Sequence, residues 1–191
     1  MTETPHRGCF ALVSYVQGPL GVFLNALRQL LSNDNAPEAH ITILPPRPLL
    51  VSVEHATEAI KNTLDNFAAF DIELEGVERF DETNSLYLEL GEGNSLVHEL
   101  HDALNTGKLH HDEEFDFRPH LTLSHPKSEK EWAASKPLAE RLWRSAECGR
   151  RFTLDEVVFL WLSPESARGE WRRLWSHPLN PNRAAAAGAD R

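Results

Sequence analysis

His40 and Thr42 stand two residues apart, with Ile41 between them and Ile43 after, and His120-Leu121-Thr122-Leu123 repeats the arrangement. Side chains on a β-strand alternate between faces. Each segment therefore aims one imidazole and one hydroxyl to one side and its aliphatics to the other. Histidine is the side chain whose ordinary pKa, about 6.5, lies near neutrality, so one imidazole can be neutral while the other is protonated. Such a pair suits in-line displacement at a phosphodiester. The neutral ring takes a proton from the attacking water or hydroxyl, and the imidazolium protonates the departing oxygen. Threonine hydroxyls two residues along can donate to the non-bridging oxygens as their charge grows. The scheme uses no metal. With 10 histidines and 41% hydrophobic residues in the chain, random order yields about 0.08 such segments. Two copies therefore point to a shared cleft rather than to two ordinary strands.

The surrounding pattern supplies elements to position them. Cys9 to Val16 reads as a buried strand ended by Gly18-Pro19. Leu20, Phe23, Leu24, Leu27, Leu30 and Leu31 recur at helical spacing, and Ser32-Asn33-Asp34-Asn35 stops that helix. The first His/Thr strand, 39–44, is expected to end at Pro45-Pro46-Arg47-Pro48, because prolines cannot donate to a ladder. A helix over 53–69 follows, then two alternating strands over 70–75 and 85–90. Asn94 or Ser95 is placed to cap a helix reaching Asn105. A polar loop, His110 to Asp116, leads into the second His/Thr strand, and a helix spans Ser128 to Ser145. Two strands, 152–162 and 170–177, joined through Ser163-Pro164 and Gly169, close the fold. The expectation is an α+β fold of two pseudo-symmetric lobes, each an antiparallel sheet flanked by helices, facing a cleft. It is one bilobal domain over 1–179, with 180–191 a disordered tail.

Composition bounds the partners. The net charge is −10, with 7 basic and 20 acidic residues in 1–126 against 12 and 9 in 127–191. An acidic surface grips a long phosphate backbone poorly, so a nucleic acid terminus or small nucleotide is expected rather than a duplex. No apolar run approaches the roughly 20 residues that span a bilayer, and the first residues lack a secretory pattern. Cys9 and Cys148 make no disulfide framework or metal pattern. A monomer in the cytoplasm is the expectation.

Other candidates are weaker. His98-Glu99-Leu100-His101 lacks the spacing that sets two metal ligands on one helical face and reads as a solvated helix surface. His110-His111-Asp112-Glu113-Glu114 reads as a polar loop near the cleft, since adjacent residues seldom converge on one ion. Phe10, Tyr15, Phe115 and Trp161 could stack a base or fill the core. No phosphate-binding glycine loop or dinucleotide fingerprint occurs, so no cofactor is expected.

The paired motifs resemble those of the 2H phosphoesterases, including the 2′-5′ RNA ligase-like proteins. Ala39-His40-Ile41-Thr42-Ile43-Leu44-Pro45-Pro46 is similar to the first family motif with its trailing prolines, and Phe117-Arg118-Pro119-His120-Leu121-Thr122-Leu123 to the second. The resemblance covers about residues 8–178. It implies His40 and His120 as catalytic residues and metal-independent hydrolysis of 2′,3′-cyclic phosphate or 2′-5′-linked ends of RNA or nucleotides. Ligation, or binding without turnover on the same fold, are the alternatives. Thr42 and Thr122 are expected phosphate donors. RNA-acting members often carry an arginine soon after the second motif, where this chain has Ser124-His125-Pro126-Lys127. His125 or Lys127 is the candidate replacement, with Arg47 and Arg118, which flank the motifs, as alternative phosphate contacts.

Overall fold

The computed structural model describes residues 8–32, 37–165 and 170–181. Its elements are β1 (Cys9–Tyr15), α1 (Gly18–Leu31), β2 (His40–Pro48), α2 (Val53–Leu64), β3 (Phe70–Arg79), β4 (Leu86–Leu90), α3 (Asn94–Leu104), a short 3-10 turn (Gly107–Leu109), β5 (His120–Ser124), α4 (Glu129–Arg144), β6 (Arg151–Leu154), β7 (Glu156–Leu162) and β8 (Arg172–Pro178). They build two four-stranded antiparallel sheets with orders β2-β1-β7-β8 and β5-β4-β3-β6. The motif strands β2 and β5 are thus both edge strands, and they meet each other across the molecule. The helices cross over: α1 packs against β5 and α4, while α3 packs against β2 and α2.

The aliphatic half of each motif does what its alternation requires. Ile41, Ile43, Leu121 and Leu123 are buried, and the intervening histidines and threonines are half-buried on the opposite side. Burying one such side chain contributes roughly 1.5–3 kcal/mol, so four of them fix both strands to the core by their backs.

Several boundaries differ from expectation. β2 runs straight through Pro45, Pro46 and Pro48, with Pro48 opposite Cys9 and Arg47 opposite Phe10. An edge strand needs ladder donors on one side only, and the register shifts around Leu12 absorb the mismatch. Gly18 and Pro19 end β1 and also open α1, where the missing proline N–H costs nothing. α2 stops at Leu64, because a tightened turn pairs Phe67 N–H with the Leu64 carbonyl and delivers Ala68 to a bridge with Asn180. That bridge ties Asn180, the first residue of the expected tail, to Ala68. α3 is capped by Gly93 rather than by Asn94 or Ser95. Gly93 sits at φ 87°, and a Cβ there would strike the Asp71 carbonyl.

The single strand expected over 152–162 is two. β6 closes the β5-β4-β3 sheet, Asp155 carries the chain across, and β7 pairs with β1 in the other sheet. The lobes are therefore not the two halves of the sequence. The expected helix stop at Asn33-Asp34-Asn35, the turn residue Gly169, the first residues 1–7 and the tail from 182 lie outside the described residues. Cys9 and Cys148 are free thiols. Among the described residues, no helix is long and apolar enough to cross a membrane.

Candidate active site

His40 and His120 begin their strands, and each is held by the same local device. The His40 Nδ1 lies 2.7 Å from the Glu38 carbonyl, and the His120 Nδ1 lies 2.7 Å from the Arg118 carbonyl. A carbonyl only accepts, so Nδ1 carries the proton in both rings and Nε2 is left with its lone pair. Two residues of backbone thus set tautomer and orientation before any ligand arrives.

The rings line a continuous cleft made of two recesses of about 750 and 830 Å³. His40 lines the first and His120 the second, and Thr42, Pro46 and His125 line both. Thr122 joins the first recess together with Arg28 from α1. The cleft therefore gathers both histidines, both threonines and His125. His125 is oriented by Ser85, whose Oγ lies 2.7 Å from its Nδ1.

Burial pushes both motif imidazoles below their ordinary pKa. At His40 the Glu38 carbonyl acts the other way, and the charges of Arg28 and His120 add to the lowering. At His120 the Arg118 carbonyl opposes burial, and His125 and Arg118 add to it. His125 is lowered by burial and by Arg28. With no ligand bound, the cleft holds neutral imidazoles at neutral pH. An arriving anion favours the charged form and restores a proton to one ring.

The two arginines expected near the phosphate are placed differently from each other. Arg47 is 1% exposed and fully engaged: Nε donates to the Pro45 carbonyl at 3.1 Å, one terminal nitrogen to Asn105 Oδ1 at 2.7 Å, and the other pairs with Glu113. It is a strut between β2 and the loop before β5. Arg118 is exposed at the rim, its guanidinium 5.5 Å from the Phe80 ring centre.

His101 corrects an expectation. It is buried rather than solvated, with Nδ1 2.8 Å from the Ile43 carbonyl, its ring stacked on Phe117 and Nε2 3.6 Å from Glu113. Glu113, from the polar loop, lines the second recess as well. Among the described residues no group of three His, Cys, Asp or Glu side chains is placed to hold a metal. Of the four aromatic candidates, Phe10 is core, stacked on Phe159, and Trp161 packs against the core. Tyr15 lies edge-on to His40 at 5.9 Å, and Phe115 stands 52% exposed at the second recess.

Sequence reasoning missed Arg28, Ser85 and the Phe80–Tyr87 pair against His120. Arg28 had a visible signal. It falls four residues after Leu24 and one after Leu27, inside the apolar stripe of α1, where a charge has no reason to sit unless it is used. Phe80 and Tyr87 carried none, since aromatic residues beside strands are ordinary core.

The sequence model of the 2′-5′ RNA ligase superfamily matches residues 17–165. A comparison with curated proteins returns no match. Among solved structures, E. coli LigT complexed with phosphate is 14% identical, with a TM-score of 0.57 over 91% of this chain and 98% of that one. E. coli LigT complexed with 3′-AMP is 16% identical, with a TM-score of 0.53 over 91% and 98%. Usb1 of Kluyveromyces marxianus is 11% identical, with a TM-score of 0.51 over 92% and 100%. At these identities the likeness is one of fold: two antiparallel sheets with flanking helices. The family match, by contrast, spans both motif strands, and on that ground the chain belongs to the 2′-5′ RNA ligase superfamily.

Proposed function

We propose that this protein is a phosphoesterase that opens 2′,3′-cyclic phosphate, or cleaves 2′-5′ linkages, at the ends of RNA or on small nucleotides in the cytoplasm. The observation that carries the reading is the pair of Nδ1-anchored imidazoles on two edge strands, each with a bare Nε2 at one cleft. One Nε2 removes a proton from water as its oxygen bonds to phosphorus. The P–O bond to the 2′ or 3′ oxygen breaks, and the other Nε2, protonated once the anion is bound, gives its proton to that oxygen. Thr42 and Thr122 donate to the non-bridging oxygens, with His125 beside them. The phosphate or 3′-AMP bound by the structurally similar LigT is of the size this cleft accommodates. Arg47, engaged with Glu113 and Asn105, is left out of the phosphate contacts.

The test is turnover of a panel of 2′,3′-cyclic nucleotides, cyclic-ended RNA and 2′-5′-linked oligomers, with the product phosphate position assigned. Hydrolysis that persists in excess chelator is expected. Binding without turnover across the whole panel, or activity lost to chelator and restored by zinc, would overturn the reading.

A further inference from the structure

Arg28 is a buried cation with no counter-ion among the described residues. It projects from α1 into the first recess and is 4% exposed. One terminal nitrogen donates to the Thr122 carbonyl, and Nε is buried without a partner. Among the described residues no carboxylate pairs with it. The other engaged arginines differ: Arg47 meets Glu113, Arg79 meets Glu129, Arg151 meets Glu73 and Glu92, and Arg173 meets Glu156. Removing a guanidinium from water is costly, and natural folds offset the cost with an opposite charge and full hydrogen bonding. Here one carbonyl is present and the charge is missing.

We propose that the missing counter-ion is the phosphate of the substrate, and that Arg28, rather than Arg47 or Arg118, is the main cationic anchor of the cleft. The inference rests on the cleft being a phosphoester site and deepens that reading: the ligand is an anion held from α1, a helix that carries neither motif. Arg28 shares its recess with His40, Thr42, Thr122 and His125, so an oxyanion on the guanidinium would also lie within reach of both hydroxyls. The planar fork suits two non-bridging oxygens in a way an ammonium does not. The charge also bears on chemistry. Arg28 helps keep His40 and His125 neutral in the empty cleft. A bound phosphate cancels that field and lets an imidazole take up the proton that the leaving group needs. Exposed Arg118 is screened by water and can do less of this.

The test compares wild type, Arg28→Met and Arg28→Lys by titrating inorganic phosphate calorimetrically, by melting with and without phosphate, and by turnover of a 2′,3′-cyclic nucleotide. Arg28→Met is expected to weaken phosphate binding at least tenfold and to lose the phosphate-induced rise in Tm. Its Tm without phosphate should equal or exceed that of wild type, because an uncompensated charge has been removed. A structural role predicts the reverse, a lower Tm with phosphate affinity retained. Arg28→Lys keeps the charge and loses the fork, so binding should weaken several-fold with the fold intact. Unchanged phosphate affinity in either variant would overturn the proposal. Arg28-dependent phosphate binding in a wild type that turns over no cyclic phosphate would leave the proposal standing and sink the hydrolase reading instead.

Discussion

On β2, His40 meets one aromatic ring, Tyr15, edge-on at 5.9 Å; on β5, His120 is boxed by Phe80 at 4.7 Å and Tyr87 at 5.5 Å. The charges nearby differ too. His40 feels Arg28, a buried cation, whereas His120 feels His125 and the exposed Arg118. What the two share is the backbone device, a carbonyl two residues back that fixes the proton on Nδ1. The motif thus specifies where an imidazole points, and its surroundings specify how readily it is charged. A pair built this way can divide acid from base without any difference in the motifs themselves.

Removing either imidazole tests whether the two strands are equivalent in importance. His40→Ala and His120→Ala should each lower kcat by about 10²–10⁴-fold, with the double variant little worse than either single one, measured on a cyclic nucleotide. A mild loss in one alone would break the symmetry. Next in size is the strut found only on β2. Arg47→Met leaves Glu113 half-buried without its cation and should cost about 3 kcal/mol of folding stability by urea denaturation. β5 has no counterpart among the described residues, so Arg118→Met at the exposed rim should cost under about 0.5 kcal/mol.

Thr42→Val and Thr122→Val each remove one neutral donor. They should lower kcat/KM by about tenfold, the equivalent of one hydrogen bond of about 1.4 kcal/mol. The smallest effects concern protons. Both imidazoles have folded pKa values lowered by burial. The unfolded chain therefore binds more protons just below about pH 6.5, and stability present above that pH declines as pH falls toward the folded values. Tm should drop on acidification, and less so with phosphate bound. In Arg28→Met the His40 titration followed by NMR should rise slightly while staying lowered by burial, and that of His120 should hold, because Arg28 adds to the lowering of the first ring and not the second.

The motif strands and most helices were legible because their signals are local. Alternation at Ile41 and Ile43 and helical spacing from Leu20 to Leu31 need no partner to be read. The misreadings occurred where pairing decides. Prolines 45, 46 and 48 forbid a central strand and are harmless at an edge, and nothing in the segment says which it is. The segment 152–162, which reads as one strand, serves two sheets because the chain changes partners at Asp155 in its middle. His101 looks like surface in a helix of mixed polarity until β2 and Glu113 are brought against it. Arg28 is the instructive case: the anomaly was local, and its place in the cleft became visible only when α1 lay across β5.

The crossing at Asp155 also sets an order of assembly. The sheet that carries His120 is drawn from one continuous stretch, 70–154, and can form as soon as that stretch exists. The sheet that carries His40 needs β1 from the start of the chain and β7 and β8 from its end, so β1 waits for more than a hundred residues to find one of its two neighbours. Long-range pairing of this kind is slow and comes late. On a ribosome the half of the cleft encoded second is the half completed first, and the two motif imidazoles come together only once β7 and β8 have emerged.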